Sequence, residues 1–519
     1  MKRAINQTLN YIAITMALWG LTLNCLSQTD QTVGLFTNTT ESFNGYTLFA
    51  PVSNMTTYLI DNCGSEINSW ESSHRAGMMA YLLEDGCIMR SGRTPSKVFQ
   101  GGGTGGVIEK FSWSGELLWT FTMANDSVHL HHDIEILPNG NVLAIAWKMN
   151  SAEDAISKGR DPNKTGLSVW STYIVEIEPS YPQGGQIVWS WDAWDHLIQD
   201  FDPSLPSYGH PIDFPGKIDV NFNALGGTST TAQDWLHTNS IDYNPLSDEI
   251  MISVRGFSEF WIIDRESSSD IKYRWGNPMA YGRGTEEDQA LFQQHNCHWI
   301  EPGLPGEGHV LIYNNGTNRP DGEYSSIEQL KLPLSVNGEY PISSDSPYGP
   351  ENTEWRYPET LGNELFSHNV SGAQRLPNGN TLICEGASGH LIEINNIGEV
   401  TWDYINPVSV WGPLEQTTTV FGNSVFQAQR YAPNYGAFLG RNLTPMGEIE
   451  INPLPSMCEI TYAPTCPGDM NHDYLITVQD LTLALGAFAC TNCTSDIDGD
   501  ASFGISDLLI LLSAFGTSC

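Results

Sequence analysis

Across the body of the chain, apolar and polar positions alternate in short runs of strand length, separated by turns rich in Gly, Asn and Asp. One unit recurs. A polar or histidine start leads into an alternating strand, a tight turn and a second strand. A strand ending in Ile-Glu or Ile-Asp follows, then a Gly turn and Trp-x-Trp or Trp-x-Tyr. The clearest inner halves begin at His131 and Ser371, and both carry a Leu-Pro-Asn-Gly-Asn turn. Asn-Gly between alternating runs is a strong hairpin signal. Outer halves match at Val107 to Phe121, Ile174 to Trp191, Trp261 to Trp275 and Leu391 to Tyr404.

Five nearly complete units start near Met78, His131, His237, His295 and His368. A sixth is split: residues 58–70 read as an outer half and residues 426–442 as an inner half. Joining them closes a ring and removes the exposed edges of an open array. The pattern predicts an all-β chain, a six-bladed β-propeller over residues 28–456 closed by N- and C-terminal strands. A pair of β-sandwiches explains the spacing less well.

Ahead of the propeller, Met1-Lys2-Arg3 and the apolar run Tyr11 to Leu26 read as a cleavable export signal over residues 1–27. Lipidation at Cys25 is the alternative, on a poor lipidation sequence. No later run is long enough to span a bilayer, so no transmembrane segment is expected. The reading is a periplasmic, cell-surface or extracellular protein. Sixty acidic residues against 23 basic ones give a net charge of −37. Such a surface repels nucleic acid and anionic lipid, so an anionic substrate needs a local positive pocket. Ten cysteines fit an oxidising compartment. Nine remain if Cys25 leaves with the leader; Cys63 with Cys87 is one candidate bridge, and Cys466, Cys490, Cys493 and Cys519 are candidates to staple the last segment.

Pro453, Pro455, Pro464 and Pro467 mark a linker into residues 457–519. There Asp469, Asn471, Asp473 and Asp480 stand at positions 1, 3, 5 and 12 of a loop, and Asp496, Asp498, Asp500 and Asp507 repeat the set. Hard oxygen donors at those positions wrap a calcium ion, with position 7 adding the backbone carbonyls of Leu475 and Ser502. Each loop leads into a short apolar helix, Leu481 to Phe488 and Leu508 to Phe515. The doubled motif resembles a dockerin module: a small α-helical unit holding structural calcium. That resemblance implies docking onto a cohesin-like partner or a cell-surface anchor; a calcium-folded tail without docking is the simpler alternative.

The histidines share a register. His131 or His132, His237 and His295 each stand at the start of a unit's first strand. First strands line a propeller's channel, so these side chains converge at one mouth. A lone histidine there is usually a structural group; three in register point to chemistry. His237 and Asn239 alternate onto one face, and Arg255 follows on the partner strand or at its end. A guanidinium beside an amide and imidazoles suits a tetrahedral oxyanion, although a structural salt bridge would also explain Arg255. Cys297 and His298 near His295 keep a metal site open.

Two histidines before Asp133, His237-x-Asn239 followed by Arg255, and Gln294-His295 together resemble the active-site signatures of the bacterial PAPS-independent arylsulfate sulfotransferases, over residues 46–455. The resemblance implies transfer of a sulfuryl group from a phenolic sulfate donor to a phenol acceptor, without a nucleotide cofactor, by ping-pong kinetics. It implies His295 as the nucleophile that becomes sulfurylated. His132 and His237 are then the other catalytic groups, and His131, Asn239 and Arg255 hold the sulfate. Trp235 and Trp299 suit either phenol stacking or the core. Competing readings are a non-catalytic propeller binding sulfated or acidic glycans, and a metal-dependent hydrolase or lyase.

Overall fold

The computed structural model describes residues 31–52, 54–222, 233–265, 270–359, 365–455, 458, 460, 468–470, 476–488, 497 and 503–516. Six antiparallel four-stranded blades form a ring. From the channel outward, blade I contains Val425–Tyr431, Tyr46–Pro51, Thr56–Ile60 and Glu66–Glu71. Blades II to VI start on inner strands Ala76–Leu82, Val128–Ile136, Thr238–Asn244, His295–Trp299 and Gly372–Arg375. Those starts fall within a few residues of the expected ones.

Closure differs from expectation in detail. Blade I takes three strands from the N-terminal side and one from the C-terminal side, because Tyr46–Pro51 supplies its second strand. Leu48, Phe49 and Ala50 of that strand are all buried. A strand covered on both faces shows no alternation, which is why the pattern concealed it. The expected inner half 426–442 is a strand only to Tyr431; Pro433 precedes a single 3-10 turn, Gly436–Phe438. A further strand, Gly34–Asn38, was not anticipated and adds a fifth, outer member to blade VI against Val400–Ile405. Cys63 pairs with Cys458 rather than Cys87, which is a buried thiol. Cys63 lies in the outer hairpin of blade I and Cys87 in the inner hairpin of blade II, so the two stand in different blades. The other four candidate cysteines lie outside the described residues.

The repeated turn is one device. In Leu137–Asn141 and Leu376–Asn380 the first residue donates to the fifth residue's carbonyl (both 2.9 Å) and the glycine donates back to the first (2.8 and 2.9 Å). Gly140 and Gly379 hold φ of 86° and 87°. This is a three-residue hairpin whose last position favours glycine.

The recurring tryptophans staple neighbouring blades. Trp70, Trp119, Trp189, Trp275 and Trp402 each donate the indole N–H to a backbone carbonyl of the next blade or its loops: Ser112 (2.9 Å), Gly184 (2.8 Å), Arg265 (3.2 Å), Pro350 (2.8 Å) and Asn62 (2.8 Å). The last of these joins blade VI to blade I. A large apolar body with one polar handle can fill the wedge between blades and still satisfy its N–H. Around the channel, inner strands are tied by side chains instead of a ladder. Asp133 accepts Ile241 N–H (3.1 Å), Asp242 accepts Trp299 N–H (2.6 Å), Asn296 accepts Ala373 N–H (2.9 Å) and Gln374 accepts Arg430 N–H (2.7 Å). Burial pushes the Asp133 carboxyl up to about 7. Arg430 and Glu393, both fully buried, add an ion pair across the closing seam.

Candidate active site

Inner strands enter the channel from one end, and five of the six are kinked at or near that entrance. Met78, His132, His237, Gln293 and Ser371 all have positive φ (122°, 53°, 47°, 56° and 88°). Non-glycine residues held in this region are strained and persist only where surrounding packing determines them. At blade III the kink accompanies a register break opposite Ala144 and Ala146, which turns adjacent His131 and His132 to different uses.

His132 joins the cluster. Its ring lies 4.9 Å from that of His237 and 5.8 Å from Phe426, and His295 lies 6.3 Å from the same Phe426. His131 stands behind, stacked on Trp147 at 4.1 Å and 4°, with its Nδ1 2.8 Å from Nδ1 of His132. One of those two nitrogens must carry the proton and the other accept it. His237 Nδ1 meets Asp234 Oδ2, and Asp234 Oδ1 accepts Trp147 Nε1–H at 2.9 Å.

His295 is oriented by Asn315. The Asn315 amide nitrogen donates to the carbonyls of Ser367 (2.8 Å) and Val370 (3.1 Å), so its oxygen is the acceptor facing His295 Nδ1 at 2.7 Å. His295 therefore carries its proton on Nδ1 and a lone pair on Nε2. Burial, then the nearby Arg255 and His237, hold the His295 imidazole well below its ordinary range despite the Asn315 bond. Burial and the neighbouring His237, His131, His295 and Arg255 do the same to His132, and burial takes His131 to about 3. These three are neutral imidazoles at pH 7.

Arg255 opens a 3-10 turn after the second strand of blade IV and donates through Nη2 to Gln293 Oε1 rather than to a carboxylate. Among the described residues, its Nε has no hydrogen-bond partner. A buried guanidinium donor left open is expensive unless something anionic meets it. Asn239 donates one amide hydrogen to the Gln294 carbonyl at 2.8 Å. Its second amide hydrogen makes no further bond among the described residues, and its buried Oδ1 has no hydrogen-bond partner there.

Several site residues escaped sequence reasoning: Asp234, Trp147, Asn315, Phe426 and the glycine loop 101–106. That loop lies on the histidines. The His132 backbone N–H donates to the Gly103 carbonyl (2.8 Å), and a Cβ on Gly103 would fall 2.0–2.3 Å from the His132 ring. Five glycines in six residues were the available signal. Trp235 and Trp299 are core residues, packed among Trp194 and Phe257 and among Tyr273 and Leu330 respectively. Cys297 is buried, and His298 Nδ1 faces the Asn296 carbonyl. Among the described residues no three His, Cys, Asp or Glu side chains are grouped to hold a metal ion.

In the C-terminal segment, Asn471, Asp473, Asp496, Asp498, Asp500, Leu475 and Ser502 lie outside the described residues. Asp480 and Asp507 sit near the starts of the helices Val478–Ala487 and Ile505–Ser513. Each binds two backbone N–H groups in the same way: Met470 and Thr477 for Asp480 (2.7 and 2.8 Å), Ile497 and Gly504 for Asp507 (2.8 and 2.7 Å). The two halves share one backbone geometry, and Asp480 Oδ2 also accepts the Thr477 hydroxyl at 3.2 Å.

Fold and site together define a closed propeller with neutral imidazoles and a guanidinium at one mouth of its channel. The arylsulfotransferase (ASST) family profile matches residues 54–410, and the chain belongs to that family. The arylsulfate sulfotransferase AssT of Escherichia coli O6:H1 is 23% identical over 343 residues, covering 58% of this chain and 51% of that protein. The chain thus spans about half the length of this curated relative. Solved structures of similar outline include a protein of unknown function from Bacteroides caccae (TM-score 0.42, 11% identity, 75% of this chain and 98% of the other). Another is the periplasmic gluconolactonase of Pseudomonas aeruginosa (TM-score 0.36, 11% identity, 75% and 99%). Neither likeness bears on the site. No helix among the described residues is long and apolar enough to cross a membrane. The Cys63–Cys458 disulfide fits a non-cytoplasmic setting.

Proposed function

We propose that this protein transfers a sulfuryl group from an aryl sulfate to a phenol through a sulfo-His295 intermediate. The observation that carries the reading is the Asn315–His295 pair: a neutral imidazole with Nδ1–H engaged and the Nε2 lone pair left for attack. In the first half-reaction Nε2 forms a bond to sulfur, the sulfur–aryl oxygen bond breaks, and its electron pair leaves on the phenolic oxygen, which takes a proton from His237 or His132. In the second half the acceptor's oxygen attacks sulfur, its proton goes to the same histidine, and the N–S electron pair returns to His295. Arg255 Nε and the spare Asn239 hydrogen would hold the equatorial oxygens, each such donor being worth ~3 kcal/mol in comparable oxyanion sites.

The test uses 4-nitrophenyl sulfate. Wild-type protein should release one equivalent of nitrophenolate in a burst, carry a sulfo adduct on His295 by mass spectrometry, and turn over only when a phenol is added. His295→Asn should lose burst, adduct and turnover while melting normally. Full activity in His295→Asn would reject the assignment.

For the C-terminal segment we infer two structural calcium ions. Asp469, Asn471, Asp473 and Asp480 would form one donor set, and Asp496, Asp498, Asp500 and Asp507 the other. Val478, Leu485 and Phe488 and their counterparts Ile505, Leu512 and Phe515 are exposed on the two helices or just past their ends, a duplicated apolar surface that supports docking to a cohesin-like or surface-anchored partner. Calcium titration of the whole chain followed by calorimetry should give two sites; none would reject the reading. Export through residues 1–27 completes the proposal and is checked by the N-terminus of secreted protein.

A further inference from the structure

Three imidazoles reach the channel mouth, and their partners differ in charge. His295 is held by a neutral amide, His132 by another imidazole, and His237 by a carboxylate. The groups around His237 are Asp234 three residues before it, His131 and His132 on the inner strand of blade III, His295 on that of blade V, and Arg255 beyond the second strand of blade IV. Asp234 is the anion among them. We propose that Asp234 is a positioning residue that makes His237, rather than His132, the acid and base of the transfer. The inference rests on the sulfuryl-transfer reading above.

The carboxylate is fixed on both sides. Oδ2 takes His237 Nδ1–H, and Oδ1 takes Trp147 Nε1–H at 2.9 Å. Trp147 is fully buried between Phe99, stacked at 5.9 Å, and His131, stacked at 4.1 Å. Asp234 is also bridged through its backbone to Trp170. With Nδ1 committed, Nε2 is the His237 nitrogen left to exchange a proton with substrate. A carboxylate on the far nitrogen stabilises the imidazolium that exists whenever His237 holds the reaction's proton, and it sets the ring orientation. His132 has no such support; becoming an imidazolium there would place a charge in a fully buried site against His131, His295 and Arg255. The neutral partner of His295 works the other way, leaving the nucleophile unprotonated. As the aryl oxygen departs, His237 Nε2–H passes to it; when the acceptor attacks, its proton returns to Nε2.

The test is leaving-group dependence. Protonation matters most when the departing phenoxide is basic, so phenyl sulfate is compared with 4-nitrophenyl sulfate in single turnover. Asp234→Asn should slow phenyl sulfate by ~100-fold or more and 4-nitrophenyl sulfate by ~10-fold or less. His132→Gln should slow both donors by the same factor. Detection of sulfo-His295 in Asp234→Asn with 4-nitrophenyl sulfate shows that the variant retains its site. Should Asp234→Asn not fold, Trp147→Phe, which frees the carboxylate but keeps it, should show a smaller loss with the same donor preference. Equal losses on both donors in Asp234→Asn and Trp147→Phe, or a donor-selective loss confined to His132→Gln, would overturn the assignment. A wild type without sulfo-histidine would overturn it together with the reading beneath it, and is recognised by the wild type itself failing.

Discussion

Replacing Asn315 with leucine tests how far the proposed nucleophile, His295, depends on its tautomer. Asn315 is fully buried and serves three partners: His295 Nδ1 and the carbonyls of Ser367 and Val370. A leucine of similar volume leaves the Nδ1 hydrogen without an acceptor, a penalty of ~1–3 kcal/mol for a buried polar group. The imidazole escapes that penalty by moving its proton to Nε2, the atom that must attack. At ~1.4 kcal/mol per factor of ten, the reactive tautomer falls by roughly 5- to 150-fold. Single-turnover nitrophenolate release should therefore slow by ~10- to 100-fold. Losing the amide's bonds to the Ser367 and Val370 carbonyls adds a stability loss of ~1–3 kcal/mol for each left unpaired, so the assay is run well below the variant's melting temperature. Folded Asn315→Leu protein releasing nitrophenolate within twofold of the wild-type rate would refute the tautomer argument and leave the His295 nucleophile without its structural basis.

Three further outcomes follow from the same structure. Gly103→Ala puts a Cβ 2.0–2.3 Å from the His132 ring at a φ of 80°, so turnover should fall at least ~10-fold with a melting temperature several degrees lower; unchanged kinetics would show that the loop is not fixed on His132. His390 lies between Glu385 (3.3 Å) and Asp403 (2.8 Å), and these outweigh burial to raise its imidazole to about 9. The stabilisation is thus complete below the unfolded value of ~6.5 and disappears as pH rises through 9; wild type should exceed His390→Gln by ~2–3 kcal/mol at pH 6 and by nothing above pH 10. Cys458→Ser should lower unfolding free energy by ~2–4 kcal/mol, as should reductant on the wild type, and a null effect of both would show that the seam closes without the disulfide.

Much of the ring was readable because its devices are local. The indole staples and the histidines at inner-strand starts recur in several blades, and the Leu-Pro-Asn-Gly-Asn turn does one job in two. What escaped was non-local or non-periodic. Tyr46–Pro51 is buried on both faces and so has no alternation, and Gly34–Asn38 finds its partner strand some 370 residues away, at Val400–Ile405. Within the site, the histidines, Asn239 and Arg255 stood out by register. Asp234 and Asn315 could not, since an orienting side chain is defined by the atom it meets and not by a spacing. Cys458 was equally invisible as the partner of Cys63, because loop length alone does not select a pairing.

The seam of blade I also sets a schedule. Synthesis delivers Tyr46–Pro51 early, but the strand that lines the channel beside it, Val425–Tyr431, is the last of the ring's strands to emerge and brings Phe426, the ring that lies against both His132 and His295. With blades II to VI assembled and this strand missing, the channel mouth beside His132 and His295 would stand open at blade I. The wall that Phe426 gives to both histidines is thus complete only when head and tail meet in blade I.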